Sequence, residues 1–196
     1  MNVRMAKHQK IKVTGAADVV PIMWEILLRE DKRGQNKEHF WCIGLANDHH
    51  ILYIELVSLG SVNAAIVNPK EVMELASIKG AVNLILVHNH PSGTLTPSAE
   101  DKRITDRLIQ AAKLLEREVL DHLIISPTDY YSFMESGLLE ELRQSLTYVV
   151  PYELEDRGMR KKAIEMAKAM VKDKKPMSEI RKYTKLSKKE LEKLQK

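Results

Sequence analysis

The sequence predicts a mixed α/β domain, a β-sheet flanked by helices in three layers, followed by a small helical tail. Three observations carry that prediction. Segments with strand and helix character follow one another in the order α-β-β-β-α-β-α-β, which favours a mixed sheet between helices. The run "NLILVHNH" is almost continuously apolar, as a strand buried on both faces would be. The charge also changes sign along the chain. Residues 151–196 hold 15 Lys and Arg against 8 Asp and Glu, a net of +7, whereas residues 1–150 carry a net of −3. Residues 1–150 are therefore read as one domain and 151–196 as a basic helical appendage.

Each element has its own local reason. In residues 17–30 Val20, Trp24 and either Leu27 or Leu28 recur at helical spacing, and Pro21 fits if it lies in the first turn. The charged link "DKRGQNK" follows, broken by Gly34. Residues 38–46 and 51–59 are rich in aromatic and β-branched residues and flank a turn at Asn47-Asp48, which predicts a β-hairpin. "AAIVN", residues 64–68, reads as a short strand. Residues 69–79 read as a helix opened by Pro69 and closed by Gly80. Residues 83–90 are the buried strand. Residues 98–119 are predicted as a long helix with the apolar stripe Ile104, Leu108, Ala111 and Leu115. Residues 121–126 are a further strand, and "YYSFMESG" closes the domain. In the tail, residues 159–173 read as a helix, and residues 177–184, 185–187 and 188–196 as helix, turn and helix, with Ser187 and Glu190 placed for a capping box.

Composition excludes several classes. Hydrophobic residues are 44% and charged residues 30% of the 196, which is globular and not disordered. Cys42 is the single cysteine, so no internal disulfide can form, and a reducing cytoplasm is the expected location. The opening residues lack an apolar core of signal-peptide length, and no run reaches the ~18 apolar residues of a membrane span.

The chemistry concentrates in "LVHNHPSGTLTPSAED", residues 86–101. On a strand, side chains alternate, so His88 and His90 project from one face and Asn89 from the other. They lie where the strand turns into a loop, a favoured place for ligand sites in α/β proteins. Asp101 lies three residues before Ile104 and shares the buried stripe of the helix. A carboxylate aimed into a core is costly without a partner, and a cation held by two histidines would supply one. Two His and one carboxylate leave a position open on zinc, as in catalytic sites. Pro91, Gly93 and Pro97 allow the loop to fold back. Taken alone, Ser98-x-x-Asp101 reads instead as a capping box. Ser92 reads as a turn residue, Asn89 as a loop support, His122 as a satisfied structural histidine, His49 and His50 as solvated, and Cys42 as core.

"HNHPSGTLTPSAED" resembles the JAMM signature of the MPN (JAB) metalloproteins: H-x-H, seven residues, then S-x-x-D. The fuller string, with "DHLIIS" further on, is similar to the RadC branch, over residues 11 to 139 or so. The resemblance implies the MPN/JAB (cytidine-deaminase-like) fold and a zinc ion held by His88, His90 and Asp101. It also implies Glu38, at the start of the strand "EHFWCIGLA", as the base that takes a proton from a zinc-activated water, with Ser98 donating to the developing oxyanion. The implied reaction is hydrolysis of a peptide or isopeptide bond, with a protein, a peptide or a ubiquitin-like conjugate as substrate. The RadC branch was named for DNA repair, so a nucleic-acid-associated protein or metal-dependent nuclease is the alternative, and a non-catalytic binding module is a third. Fewer than twenty residues precede the first helix, so the helix-hairpin-helix module of longer members is expected to be absent. The basic tail is either a solvated helical hairpin or a docking surface for nucleic acid or an acidic protein; no membrane partner is expected. Tyr183 is the only aromatic residue beyond Tyr152, which disfavours single-strand stacking.

Overall fold

The computed structural model describes residues 3–6, 9–60, 67–149, 151–173 and 175–194. They form two compact units, Met1–Tyr148 and Val149–Lys196. In the first unit the elements run α1 (Ala16–Leu27), α2 (Lys32–Gln35), β1 (Glu38–Leu45), β2 (Ile51–Gly60), α3 (Pro69–Ile78), β3 (Asn83–Asn89), α4 (Ala99–Leu114), β4 (Glu118–Ile125), β5 (Tyr130–Ser132) and α5 (Leu138–Arg143).

The five strands form one sheet in the order β2-β1-β3-β4-β5. β1 is antiparallel to both β2 and β3, β3 is parallel to β4, and β5 returns antiparallel. A parallel pair needs a long crossover, and α4 supplies it between β3 and β4. The sheet is therefore mixed, and alternation divides its side chains between two cores. Phe40, Cys42, Leu84 and Leu86 pack against Ile104 and Leu108 of α4, with Val72 and Met73 of α3 and Leu139 of α5. Trp41, Ile43, Ile85, Val87, Leu123 and Ile125 pack against Val19, Val20, Met23 and Ile26 of α1. Helices thus cover both faces in three layers. That is why β3 is apolar from Leu84 to Val87: both faces of that stretch are buried.

Several elements depart from the sequence reading. α1 stops at Leu27, so Leu27 is buried while Leu28 is 71% exposed. Pro21 lies in the second turn of α1, not the first. It is on the exposed side, as is Ala17, whose carbonyl loses its helical partner and can be hydrated. The charged link contains the single turn α2, capped by the Asp31 carboxylate accepting from the Gly34 amide at 2.6 Å. α4 ends at Leu114, and β4 begins at Glu118, not at residue 121. Glu116 takes a left-handed φ of 54°, and the Arg117 amide donates back to the Ala112 carbonyl, which ends the helix five residues early. Leu115 consequently leaves the predicted stripe and is 49% exposed. The strand expected at residues 64–68 falls mostly outside the described residues; Asn68 caps α3 instead.

Gly44 is required by close approach. It pairs with Tyr53 across β1 and β2, and a Cβ there would stand 2.0 Å from Tyr53 Cε1.

The second unit consists of α6 (Pro151–Lys172), α7 (Met177–Thr184) and α8 (Lys188–Lys193). α6 starts eight residues before the predicted helix. Ala167, Ile180, Leu186 and Leu191 form a small core of its own. Lys185, with φ 54°, makes the turn from α7, and Ser187 with Glu190 forms the capping box that opens α8. Among the described residues, no helix is long and apolar enough to cross a membrane.

Candidate metal centre

His88 is the sixth residue of β3 and points to the α4 face, as its alternation with Leu86 requires. It is fully buried, flanked by the Phe40 ring at 6.2 Å. His90 lies one residue past β3, yet its amide donates to the Ile125 carbonyl at 2.9 Å, so the parallel ladder holds it in place. Gly93 follows with φ 79°, a left-handed turn that carries the Thr94 carbonyl to 2.5 Å from His90 Nδ1. A carbonyl only accepts, so His90 Nδ1 bears a proton and its Nε2 is the atom turned toward His88.

Asp101 is the third residue of α4. Its Oδ2 accepts from the Ser98 amide and from Ser98 Oγ, each at 2.7 Å, and Ser98 Oγ in turn accepts from the Asp101 amide at 3.1 Å. The capping box is therefore real, and it does not remove Asp101 from the site. Oδ1 stands 3.2 Å from His88 Nε2, and Oδ2 stands 3.7 Å from His90 Nε2. The two Nε2 atoms are 2.9 Å apart. Atoms around a tetrahedral ion at 2.0–2.1 Å would be separated by about 3.3 Å. The observed separations bracket that spacing, and the donor set of two imidazoles and a carboxylate suits such an ion. Among the described residues His88, His90 and Asp101 form a cluster that could hold a metal.

Glu38 is outside that cluster but on the same side. Phe40 pairs with His88 across β1 and β3, so residues 38 and 40 share the His88 face, and Glu38 opens β1 beside the end of β3. Asn89, on the opposite face, spans the start of β1: its Oδ1 accepts from the His39 amide at 2.7 Å and its Nδ2 donates to the Lys37 carbonyl at 3.0 Å. Asn89 thus grips the backbone on both sides of Glu38, where the sequence reading had it supporting the loop.

A family model described as the RadC-like JAB domain matches residues 14–138 of this chain. The chain belongs to this family. Its relatives carry the name UPF0758 protein. The chain is 49% identical over 113 residues to the one from Alkaliphilus metalliredigens, covering 58% of this chain and 49% of the relative. It is 39% identical over 134 residues to those from Chlorobium chlorochromatii and Methanosarcina mazei, covering 68% of this chain and 58% and 56% of theirs. The chain thus spans about half the length of the curated relatives it matches. The RadC-like JAB match includes all five candidate residues and stops before the second unit.

The electrostatics of the RadC-like JAB site follow from burial. Desolvation pushes the pKa of His88 down, against the opposing pull of Asp101 and Glu38. Desolvation and the neighbouring His88 hold His122 well below the usual histidine range. Burial thus favours the neutral form of both rings. Burial works against ionisation of Asp101, but the two hydrogen bonds that its Oδ2 accepts from Ser98 favour the carboxylate, and its pKa lies below the usual carboxylate range. A carboxylate and two imidazole nitrogens thus converge.

The structure adds residues that the sequence reading undervalued. His122 Nε2 is 2.8 Å from His88 Nδ1, and His122 Nδ1 is 2.6 Å from Thr105 Oγ1. The signal was present: His122 alternates with Ile124 and so faces the α4 side, like His88. Asp121, its neighbour, faces away and is bonded by Ser132 Oγ and the Met134 amide. His49 and His50 lie at the β1–β2 turn, where His50 Nδ1 meets Asp48 at 2.9 Å. Cys42 is fully buried, and burial pushes its thiol up to about 12, so it is inert.

Proposed function

We propose that this RadC-like JAB domain is a zinc-dependent hydrolase that cleaves an amide bond, peptide or isopeptide. The observation that supports it is the convergence of His88, His90 and Asp101, with Glu38 on the same face of the neighbouring strand. When bound, zinc supplies Lewis acidity to a water and to the scissile carbonyl. Asp101 and the two Nε2 atoms would hold it. Glu38 would accept the proton of the attacking water and return it to the leaving amine, so that the same carboxylate serves as base and then as acid. Ser98 Oγ donates to Asp101 in the resting arrangement; rotated, it can donate to the developing oxyanion, while its oxygen still caps α4.

The matching substrates are proteins or peptides, including conjugates of ubiquitin-like proteins. A second reading, a RadC-type nucleic-acid-associated protein, is favoured by the +7 charge of residues 151–196. A purely binding role is disfavoured by the presence of Glu38 and Ser98 beside the ligand set. Zinc-loaded protein offered a peptide library, isopeptide-linked conjugates and duplex DNA separates these readings. Amide cleavage that Glu38→Gln abolishes is expected. Metal-dependent DNA cleavage, or no turnover of any of the three, would displace the hydrolase proposal.

A further inference from the structure

Three hydrogen bonds in series behind the metal centre leave the proton of His88 only one position. The Asp101 carbonyl can only accept, and Thr105 Oγ1 donates to it at 2.5 Å. This is the i to i−4 contact a threonine makes inside a helix. The hydroxyl has a single proton, so at its second contact, with His122 Nδ1, Thr105 must accept. His122 Nδ1 therefore carries a hydrogen. A neutral imidazole has one N–H, which leaves His122 Nε2 as an acceptor for His88 Nδ1. His88 donates from Nδ1, and its Nε2 is bare.

We propose that His122 and Thr105 are positioning residues that fix the tautomer of His88 and so keep its Nε2 open to a cation. The proposal rests on the reading of His88, His90 and Asp101 as a metal site. The bias matters because Asp101 works the other way. Its Oδ1 lies 3.2 Å from His88 Nε2 and would favour a proton there. That tautomer would close the ligand set with an internal hydrogen bond. The relay opposes it from the far side of the ring. The circuit also returns to its origin: Asp101 offers its carboxylate to the site and its own carbonyl to Thr105.

Burial makes the relay effective. His88, Thr105 and His122 are each 0% exposed, so water cannot supply an alternative partner. Phe133 stacks on His122 at 4.7 Å, and Phe40 meets it edge-on at 5.5 Å. Ring orientation is thus held by packing, and the proton position by the hydroxyl. Metal-bound histidines in general donate their second N–H to a fixed acceptor. Here the acceptor is another imidazole, whose own state is set one step further away.

The test reads tautomers in metal-free, 15N-labelled full-length chain by long-range imidazole correlation spectra, and zinc affinity by competition with a chelator. Wild type should show His88 and His122 both protonated at Nδ1. Thr105→Val should reverse both rings to Nε2–H and weaken zinc binding by about 10–100-fold, and Thr105→Ser should restore tautomers and affinity together. A wild-type His88 protonated at Nε2, or Thr105→Val with unchanged tautomers, would overturn the proposal. If Thr105→Val does not fold, the wild-type spectrum alone decides. Because tautomers are read without metal, a wild type that binds no zinc removes the metal reading, while the spectra still decide the relay.

Discussion

Asp101→Asn should separate the two roles of the carboxylate. The carboxamide is isosteric, so its oxygen can take the Oδ2 position and keep both contacts with Ser98. Its NH2 then occupies the Oδ1 position, 3.2 Å from the bare Nε2 of His88, where it can donate. Without metal the terms oppose each other. Two charge-assisted hydrogen bonds become neutral ones, a loss of about 1 kcal/mol. A new hydrogen bond gains about 1 kcal/mol, and a buried charge is removed. The net change should lie within about 1 kcal/mol, or roughly 2–4 °C in melting temperature for a chain of this size. With zinc the outcome inverts. The amide N–H now points where the ion would sit, so the variant should gain nothing from zinc. Wild type should gain about 2.7 kcal/mol when free zinc is 100 times its Kd. Thermal unfolding of both proteins, in chelator and in buffered zinc, measures all four states. A loss above about 2 kcal/mol for the variant in chelator would refute the reasoning. It would mean that the carboxylate stabilises the metal-free fold, and is not an acceptor awaiting a cation.

Glu38→Gln should retain stoichiometric zinc, measured by elemental analysis, while lowering amide cleavage at least ~100-fold because the amide cannot take the proton. Gly44→Ala places a Cβ 2.0 Å from the buried Tyr53 ring and should cost about 1–3 kcal/mol in denaturant unfolding, with partial rescue by Tyr53→Leu. In α8 the Ser187 contacts, then Arg160, hold the Glu190 carboxyl at about 2, below its ordinary 4.5. Its contribution to the capping box is therefore complete above 4.5 and lost as the pH falls toward 2; circular dichroism should show helix loss in that window that Glu190→Gln flattens. Truncation after Tyr148 should leave zinc content and the folded core unchanged, since the proposed ligands and the sheet all precede that residue.

Much of the site was legible because it obeys short periodicities. The period of two on β3 placed His88 and His90 together, and the spacing from Asp101 to Ile104 placed the carboxylate on the buried stripe of α4. Glu38 could not be read that way. Its place beside the site depends on β1 pairing with β3, fifty residues later, and local pattern carries no register for such a pair. It was reached through family resemblance. The end of α4 was misread because Leu115 and Val119 continue a helical apolar spacing across a turn set by backbone conformation at Glu116. His122 was read as a structural histidine, which describes its burial but not its partners. A buried imidazole must bond to something, and sequence gives the need without the address.

The candidate residues also differ in how far along the chain they must be brought together. The three proposed ligands fall within the 14 residues from His88 to Asp101, a short loop closed at small entropic expense. Glu38 comes from a segment whose docking against β3 closes a loop several times longer, at a greater entropic cost. On the proposed reading the ligand set depends on this local segment and on the β3–β4 ladder that holds His90, whereas the base depends on the β1–β3 pairing. On that reading metal binding and hydrolysis rest on different strand pairings. A change that loosens the β1–β3 pairing alone would then impair cleavage before it impairs zinc binding.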